Sequence, residues 1–295
     1  MPSYQARITK KILQFRFSGW SDGPIAEQRS RQEITARYAR LPKGTQCQPV
    51  DIHGIPAEWI EAPPAEAGVI FYLHGGAYAL GSINGHREFI ARLALAAHSK
   101  ALAINYRLAP EHPFPAALDD ALASYRWLLS QGFDTSRIVI AGDSAGGGLA
   151  VATLVALRDA GDPLPAGAVC LSPWVDLALT SASIYQNSRL DPILDPKSLE
   201  MYAGYYAGSR ELAFPLISPL YADLKGLPPL LIQIGTDEIL LDEAILLADK
   251  ARKAGVRVIL KTWDGMFHVF QLFSFIPETK EAVKQFAGFI ANPNA

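Results

Sequence analysis

Residues 138–151 read Ile-Val-Ile-Ala-Gly-Asp-Ser-Ala-Gly-Gly-Gly-Leu-Ala-Val, and no other stretch constrains the fold of this chain so tightly. A β-branched apolar run enters Gly142-Asp143-Ser144-Ala145-Gly146, and a run of small, helix-compatible residues leaves it. That pattern is a buried strand, a sharp turn and a helix, with Ser144 at the apex. In so tight a turn, side chains two residues either side of the serine would collide, and Gly142 and Gly146 remove the collision. Such a turn presents a hydroxyl at the carboxyl end of a sheet, where strained backbone holds a nucleophile. Gly-x-Ser-x-Gly alone arises by chance in roughly one chain of this length in ten, so the flanking strand and helix carry the weight.

Three further segments supply what a serine nucleophile needs. Upstream, the apolar run Val69-Ile70-Phe71-Tyr72-Leu73 ends in His74-Gly75-Gly76. Glycines there let backbone N–H groups approach and bind an oxyanion, so Gly75 and Gly76 are candidate donors, with the N–H of Ala145 completing the set. Downstream, the strand Leu230–Gly235 is followed by Thr236-Asp237-Glu238, and the strand Val256–Leu260 by Trp263-Asp264-Gly265-Met266-Phe267-His268. The chain order is serine, acid, histidine, which differs from the orders in chymotrypsin and subtilisin and is that of α/β-hydrolases. A neutral serine is a poor nucleophile. His268 is therefore the candidate base, and a carboxylate has to fix its tautomer and stabilise the imidazolium. Asp143 lies inside the turn, too close to Ser144 to reach the far side of His268, and is assigned a supporting role.

The sequence resembles the hormone-sensitive-lipase-like family of α/β-hydrolases, the bacterial family IV esterases. The resemblance rests on His74-Gly75-Gly76, on Gly142-Asp143-Ser144-Ala145-Gly146-Gly147, on the segment from Tyr106-Arg107-Leu108-Ala109-Pro110-Glu111-His112-Pro113-Phe114-Pro115-Ala116-Ala117 to Asp119-Asp120, and on Asp264-Gly265-Met266-x-His268. It implies a carboxylesterase with an eight-stranded, mostly parallel sheet and a helical cap, acting on short to medium acyl chains without a cofactor. It also implies a chain that is often a homodimer. The chain departs from the family pattern twice. Ala77 stands where a third glycine is usual, and the acid loop reads Asp237-Glu238-Ile239-Leu240-Leu241-Asp242-Glu243 instead of Asp-Pro-Leu-x-Asp-Glu. Matching Asp242-Glu243 without a gap puts Glu238 on the family's acid, whereas matching Asp237 needs a one-residue insertion. Glu238 is the favoured acid and Asp237 the alternative.

Alternating strand and helix patterns lead to an α/β fold. Strands are expected near 69–73, 101–105, 138–142, 167–171, 230–235 and 256–261, with helices near 87–98, 115–130, 145–159, 243–254 and 278–291. Val50–Ile60 reads as a hairpin turning at His53-Gly54, and Glu61–Glu66 as an exposed turn. Tyr4, Ile8, Ile12 and Phe15 share one face of a first helix, which Gly19–Pro24 ends, and a second helix spans about Ile25–Ala39. These form an N-terminal cap over residues 1–45, with the catalytic domain at 46–295. The long Trp174–Leu227 interval reads as a second cap insertion at about 178–226, and its Tyr185, Tyr202, Tyr205, Tyr206 and Phe214 line the pocket or pack cap on core.

A chain of 295 residues, 49% hydrophobic and 19% charged, has ample core for one large domain. Its net charge of -2 gives no electrostatic case for nucleic acid or an anionic membrane. Cys47 and Cys170 suggest no disulfide framework, and the absence of a signal-peptide pattern or long apolar span leaves the cytoplasm as the expected compartment. No metal-ligand spacing is present, and His53, His86, His98 and His112 read as surface, turn or structural residues. A small-molecule ester is the expected partner. A non-catalytic ligand-binding relative would have no need of both Ser144 and His268. An amidase or peptidase on the same three residues is the remaining enzymatic alternative.

Overall fold

Strand pairing in the computed structural model, which describes residues 1–16, 23–36, 40–63 and 68–294, gives one sheet of eight strands in the order β1-β2-β4-β3-β5-β6-β7-β8. The strands are β1 (Gln46–Ile52), β2 (Ile55–Glu61), β3 (Val69–Leu73), β4 (Lys100–Ile104), β5 (Ile138–Asp143), β6 (Gly167–Leu171), β7 (Leu230–Gly235) and β8 (Val258–Trp263). The β1–β2 hairpin turns at His53 and Gly54, both at positive φ, and β2 joins β4 antiparallel. From β4 to β8 every pairing is parallel. The central strands are apolar along their whole length because both faces are covered. Phe71 and Leu73 of β3 face α4 (Ala116–Ser130), α5 (Ala145–Ala160) and α8 (Leu241–Lys253). Ile70 and Tyr72 face α3 (Ile83–Ala96) and α9 (Pro277–Ala291).

Element boundaries moved where turn chemistry overrode periodicity. The helix expected near 87–98 begins four residues earlier, because Ser82 caps it and its hydroxyl accepts the Gly85 N–H at 3.2 Å. That extension carries His86 onto α3, where its side chain is mostly buried at the edge of the cleft and lies against Asp143, correcting its reading as a surface or turn residue. His53, His98 and His112 are exposed. The last strand starts at Val258 instead of Val256, since Gly255 at φ 82° and the bond from Val256 N–H to Ala251 O (3.0 Å) close α8 first.

Two groups of helices lie over the carboxyl edge of the sheet. α1 (Tyr4–Arg16) buries Ala6 and Leu13 against Met266, Phe267 and Phe270. α2 (Ile25–Ala36) is anchored by Arg29, whose guanidinium donates to the Ala79 and Ala109 carbonyls at 2.8 Å and pairs with Glu111. The β6–β7 connection carries α6 (Ser183–Gln186) and α7 (Pro196–Ala207). It is tied to the loop after β7 by Asn187, which donates to Glu238 O at 2.8 Å, and by Asp191, which accepts the Ile239 N–H at 3.1 Å. Of its aromatics, Tyr202 reaches the central cleft. Tyr206 is instead buried, stacked on Tyr78 at 3.7 Å, and Tyr185 is exposed. Most of the expected helix stop at 19–24, the end of the second helix at 37–39 and part of the turn at 61–66 lie outside the described residues. Among the described residues, no helix is long and apolar enough to cross a membrane.

Candidate active site

Four strand ends converge on one point. Ser144 follows β5 directly and caps α5 with φ 53° and ψ −123°, a conformation that L-residues rarely adopt. It survives because the flanking backbone is packed too tightly to relax. A Cβ on Gly146 would stand 2.0 Å from Leu73 O, and one on Gly142 would stand 2.3 Å from Gly146 O. The Ser144 N–H donates to Leu171 O at 2.8 Å, which pins the apex to β6.

His268 arrives on the loop after β8. Its Nε2 lies 2.9 Å from Ser144 Oγ, and its Nδ1 lies 2.9 Å from Glu238 Oε2. With Nδ1–H donating to a carboxylate, Nε2 is the lone-pair nitrogen and faces the serine hydroxyl. The other Glu238 oxygen accepts from Gly235 N (2.5 Å) and Ser172 Oγ (2.8 Å). Ser172 in turn accepts the Val269 N–H at 3.1 Å, so one hydroxyl braces both the acid and the residue after the histidine. Sequence reasoning missed Ser172; the available signal was its place immediately after β6. Burial works against the charged form of His268, but the hydrogen bond and charge of Glu238, followed by Asp191 and Asp143, outweigh it and raise its pKa. Asp237 does not join this group. Its carboxylate pairs with Lys10 of α1.

The glycine loop is held from both sides. The Gly75 N–H donates to Asp143 Oδ1 at 3.0 Å, so the expectation that it serves as a free oxyanion donor is corrected. The Gly75 carbonyl accepts from His74 Nδ1 at 2.8 Å. Because a trans peptide is planar, fixing that carbonyl also fixes the direction of the Gly76 N–H on the other side of the same plane. His74 is neutral, its pKa lowered to about 3 by burial and then by the nearby His86. Ala145 is the first residue of α5, where helix N–H groups have no partner within the helix and the dipole favours negative charge. Ala77 adopts φ 53°, the left-handed region where glycine is unstrained. This explains why a glycine usually stands here in the family that the chain resembles.

These groups open onto a cleft of about 1040 Å³. Ile8, Ile12 and Leu13 of α1, with Leu272 and Phe273, contribute apolar side chains to its lining. Gln32, Ser198 and Tyr202 contribute polar groups to it. Ser144 is 8% and His268 4% exposed, so the reacting atoms meet the cleft while their charges stay largely out of water.

The model of an α/β-hydrolase-fold family matches residues 70–272. An acetyl-hydrolase of Streptomyces hygroscopicus is 47% identical over 79% of this chain and 79% of its own length. An esterase of Acinetobacter venetianus is 39% identical over 83% and 81%. Among solved structures, an esterase of the bacterial hormone-sensitive lipase family superposes with a TM-score of 0.95 at 43% identity, covering 99% of this chain and 98% of the other. An esterase crystal soaked with p-nitrophenyl butyrate superposes with a TM-score of 0.93 at 41% identity over 98% of both chains. With its strand order, its strained serine turn and these relatives in view, the chain belongs to the hormone-sensitive-lipase-like carboxylesterases of the α/β-hydrolase superfamily.

Proposed function

We propose that this protein is a serine carboxylesterase that hydrolyses short- to medium-chain esters through an acyl-enzyme on Ser144. The observation that carries the reading is the continuous chain from Ser144 Oγ to His268 Nε2 and from Nδ1 to Glu238, at 2.9 Å each, opening on a largely apolar cleft. His268 takes the Ser144 proton as Oγ attacks the ester carbonyl, and Glu238 stabilises the imidazolium that forms. Gly76 and Ala145 N–H groups bind the oxyanion of the tetrahedral intermediate. Its collapse releases the alcohol, which takes the proton from His268. Water, deprotonated by the same nitrogen, then attacks the acyl-enzyme; the acyl–Oγ bond breaks, Ser144 Oγ takes the proton back from His268, and the acid is freed.

The helices at residues 1–45 and about 178–226 act as a two-part cap that bounds the acyl and alcohol sites. The acetyl-hydrolase relative and the butyrate ester used on a structural relative both support small acyl groups. We further place the enzyme in the cytoplasm, which two free thiols suit, and expect a homodimer, as is common in the family.

The test is a p-nitrophenyl ester series from C2 to C16 with an organophosphate label. Rates highest at C4 to C8 and a covalent adduct on Ser144 are expected, with Ser144→Ala losing several orders of magnitude in kcat. Full activity in Ser144→Ala, or no ester turnover by the wild type, overturns the reading. Faster cleavage of an amide series than of the matched esters would move it to an amidase.

A further inference from the structure

His86 sits beside the nucleophile turn with no part in the chemistry above, yet its surroundings define it closely. Its Nδ1 faces the Ser82 carbonyl at 3.0 Å, and its Nε2 faces Asp143 Oδ2 at 3.2 Å. A carbonyl and a carboxylate oxygen only accept, so satisfying both requires a proton on each nitrogen, which makes the ring an imidazolium. Asp143 Oδ2 is thereby engaged. Its Oδ1 accepts from Tyr72 OH at 2.7 Å and from Gly75 N–H at 3.0 Å. Asp143 is thus a buried carboxylate with one cation and two neutral donors, and one of those donors belongs to the oxyanion loop.

We propose that His86 is a positioning residue for the oxyanion loop, holding Asp143 in the orientation that fixes the Gly75 amide and hence the Gly76 donor. The proposal rests on the esterase reading and adds to it a group outside the triad. A buried carboxylate deprived of its cation either turns toward new donors or takes up a proton, and both loosen the grip on Gly75. The Gly76 N–H, one peptide away, then loses its aim, and a small displacement of a preorganised donor weakens oxyanion binding.

Among the described residues, the titratable groups packed around His86 are Asp143 at the end of β5, Tyr72 on β3 and His74 just after β3, the last two with ring centroids 6.4 and 5.6 Å away. Burial opposes the charge on His86, and the charge and hydrogen bond of Asp143, with the Ser82 carbonyl, override it and raise its pKa. For Asp143, burial opposes ionisation, but His86 and Tyr72 lower its pKa. His74 is held neutral and Tyr72 has its pKa raised well above the ordinary value, so of these neighbours only Asp143 is an anion.

The test has two arms. In the first, ¹⁵N-histidine NMR of the wild type at about pH 7.5, one unit above an ordinary histidine pKa, reads the ring directly, with the signal assigned by its loss in His86→Gln. Both ring nitrogens protonated is the expected result. A neutral ring with one bare nitrogen overturns the proposal whether or not the protein hydrolyses esters. In the second arm, His86→Ala and His86→Gln are compared with the wild type on p-nitrophenyl butyrate and on binding of a trifluoromethyl ketone, which forms a tetrahedral adduct with the serine. His86→Ala should lose roughly 10- to 100-fold in kcat with KM within about threefold, and ketone affinity should fall in parallel. His86→Gln, which keeps an N–H donor toward Asp143, should recover part of the loss. Leu93→Ala, buried on the same helix but away from the cleft, controls for stability: its Tm should fall while kcat stays level. A kcat in both His86 variants within twofold of the wild type makes the residue merely structural and overturns the proposal. If the alanine variant does not fold, the glutamine variant and the NMR arm still decide. Failure of the esterase reading itself is distinct, because the wild type would then show neither turnover nor ketone binding.

Discussion

Asp237 and Glu238 are adjacent in the chain, but their carboxylates face in different directions. Glu238 meets His268 Nδ1 at 2.9 Å in the buried interior, while Asp237 pairs with Lys10 on α1. The loop after β7 sets this divergence: the Asp237 N–H donates to Met266 O and the Glu238 N–H to Gly235 O. We therefore predict that Glu238→Gln lowers kcat by roughly 10⁴-fold, by analogy with amide substitutions in other triads. Asp237→Asn should retain activity within about tenfold, since it loosens a partly exposed ion pair. Steady-state kinetics on both variants, with folding checked by circular dichroism, decides. The reverse ranking would make Asp237 the acid.

A second prediction concerns pH. The pKa of His268 is raised because Glu238, with help from Asp191 and Asp143, outweighs the burial that opposes its charge. The base works only when neutral, so kcat/KM should fall as pH drops through a midpoint above the ordinary histidine value of about 6.5. The sign for stability is opposite. A raised pKa stabilises the fold fully below the unfolded value, and that contribution is lost as pH rises through the folded one. Activity thus appears as this part of the stability fades. Residual activity in Glu238→Gln should show its acid limb at lower pH. An unshifted limb would break the link between Glu238 and the base.

Two glycine substitutions should separate strain from open space. Alanine at Gly146 places a Cβ 2.0 Å from Leu73 O and 2.6 Å from His74 O, both rigid backbone. Gly146→Ala should destabilise by on the order of 3 kcal/mol or more and abolish activity. Gly204 lies within α7 with nothing within 4 Å of an added Cβ. Gly204→Ala should stabilise by about 0.5–1 kcal/mol through helix propensity, with kinetics unchanged. Thermal melts of the pair check both, and a stable, active Gly146→Ala would show that the turn is not held by close packing.

Truncation through Gly23 tests the N-terminal segment. α1 contributes Ile8, Ile12 and Leu13 to the cleft and covers Phe267 and Phe270 next to His268. Its loss should lower kcat/KM for an octanoate ester by on the order of tenfold, about 1.4 kcal/mol. The sheet, whose strands α1 does not join, should keep its far-UV signature. Unchanged kinetics would remove α1 from the site.

Much of the architecture was readable in one dimension because it is written in local patterns. Both-faced apolar strands such as Val69–Leu73 and Ile138–Asp143, and the glycine spacing around Ser144, depend on neighbours close in the chain. What the sequence by itself determined was the strand and helix order, the serine turn and the placement of candidate groups after β3, β5, β7 and β8. It left unresolved whatever depends on where a side chain points after a loop. Asp237 and Glu238 are chemically alike and one residue apart. The path of the β7 loop between Gly235 and Met266 sends one to Lys10 and the other to His268. Gly75 offers the same N–H as Gly76 on paper, but the neighbouring β5 brings Asp143 up to the first. His86 looked like a surface residue until the Ser82 cap lengthened α3 and turned it toward that carboxylate. In each case the deciding partner lies tens of residues or more away in the chain. Parallel strands bring such partners to one edge of a sheet, and the order in which strands far apart in the chain pair sets which of them meet.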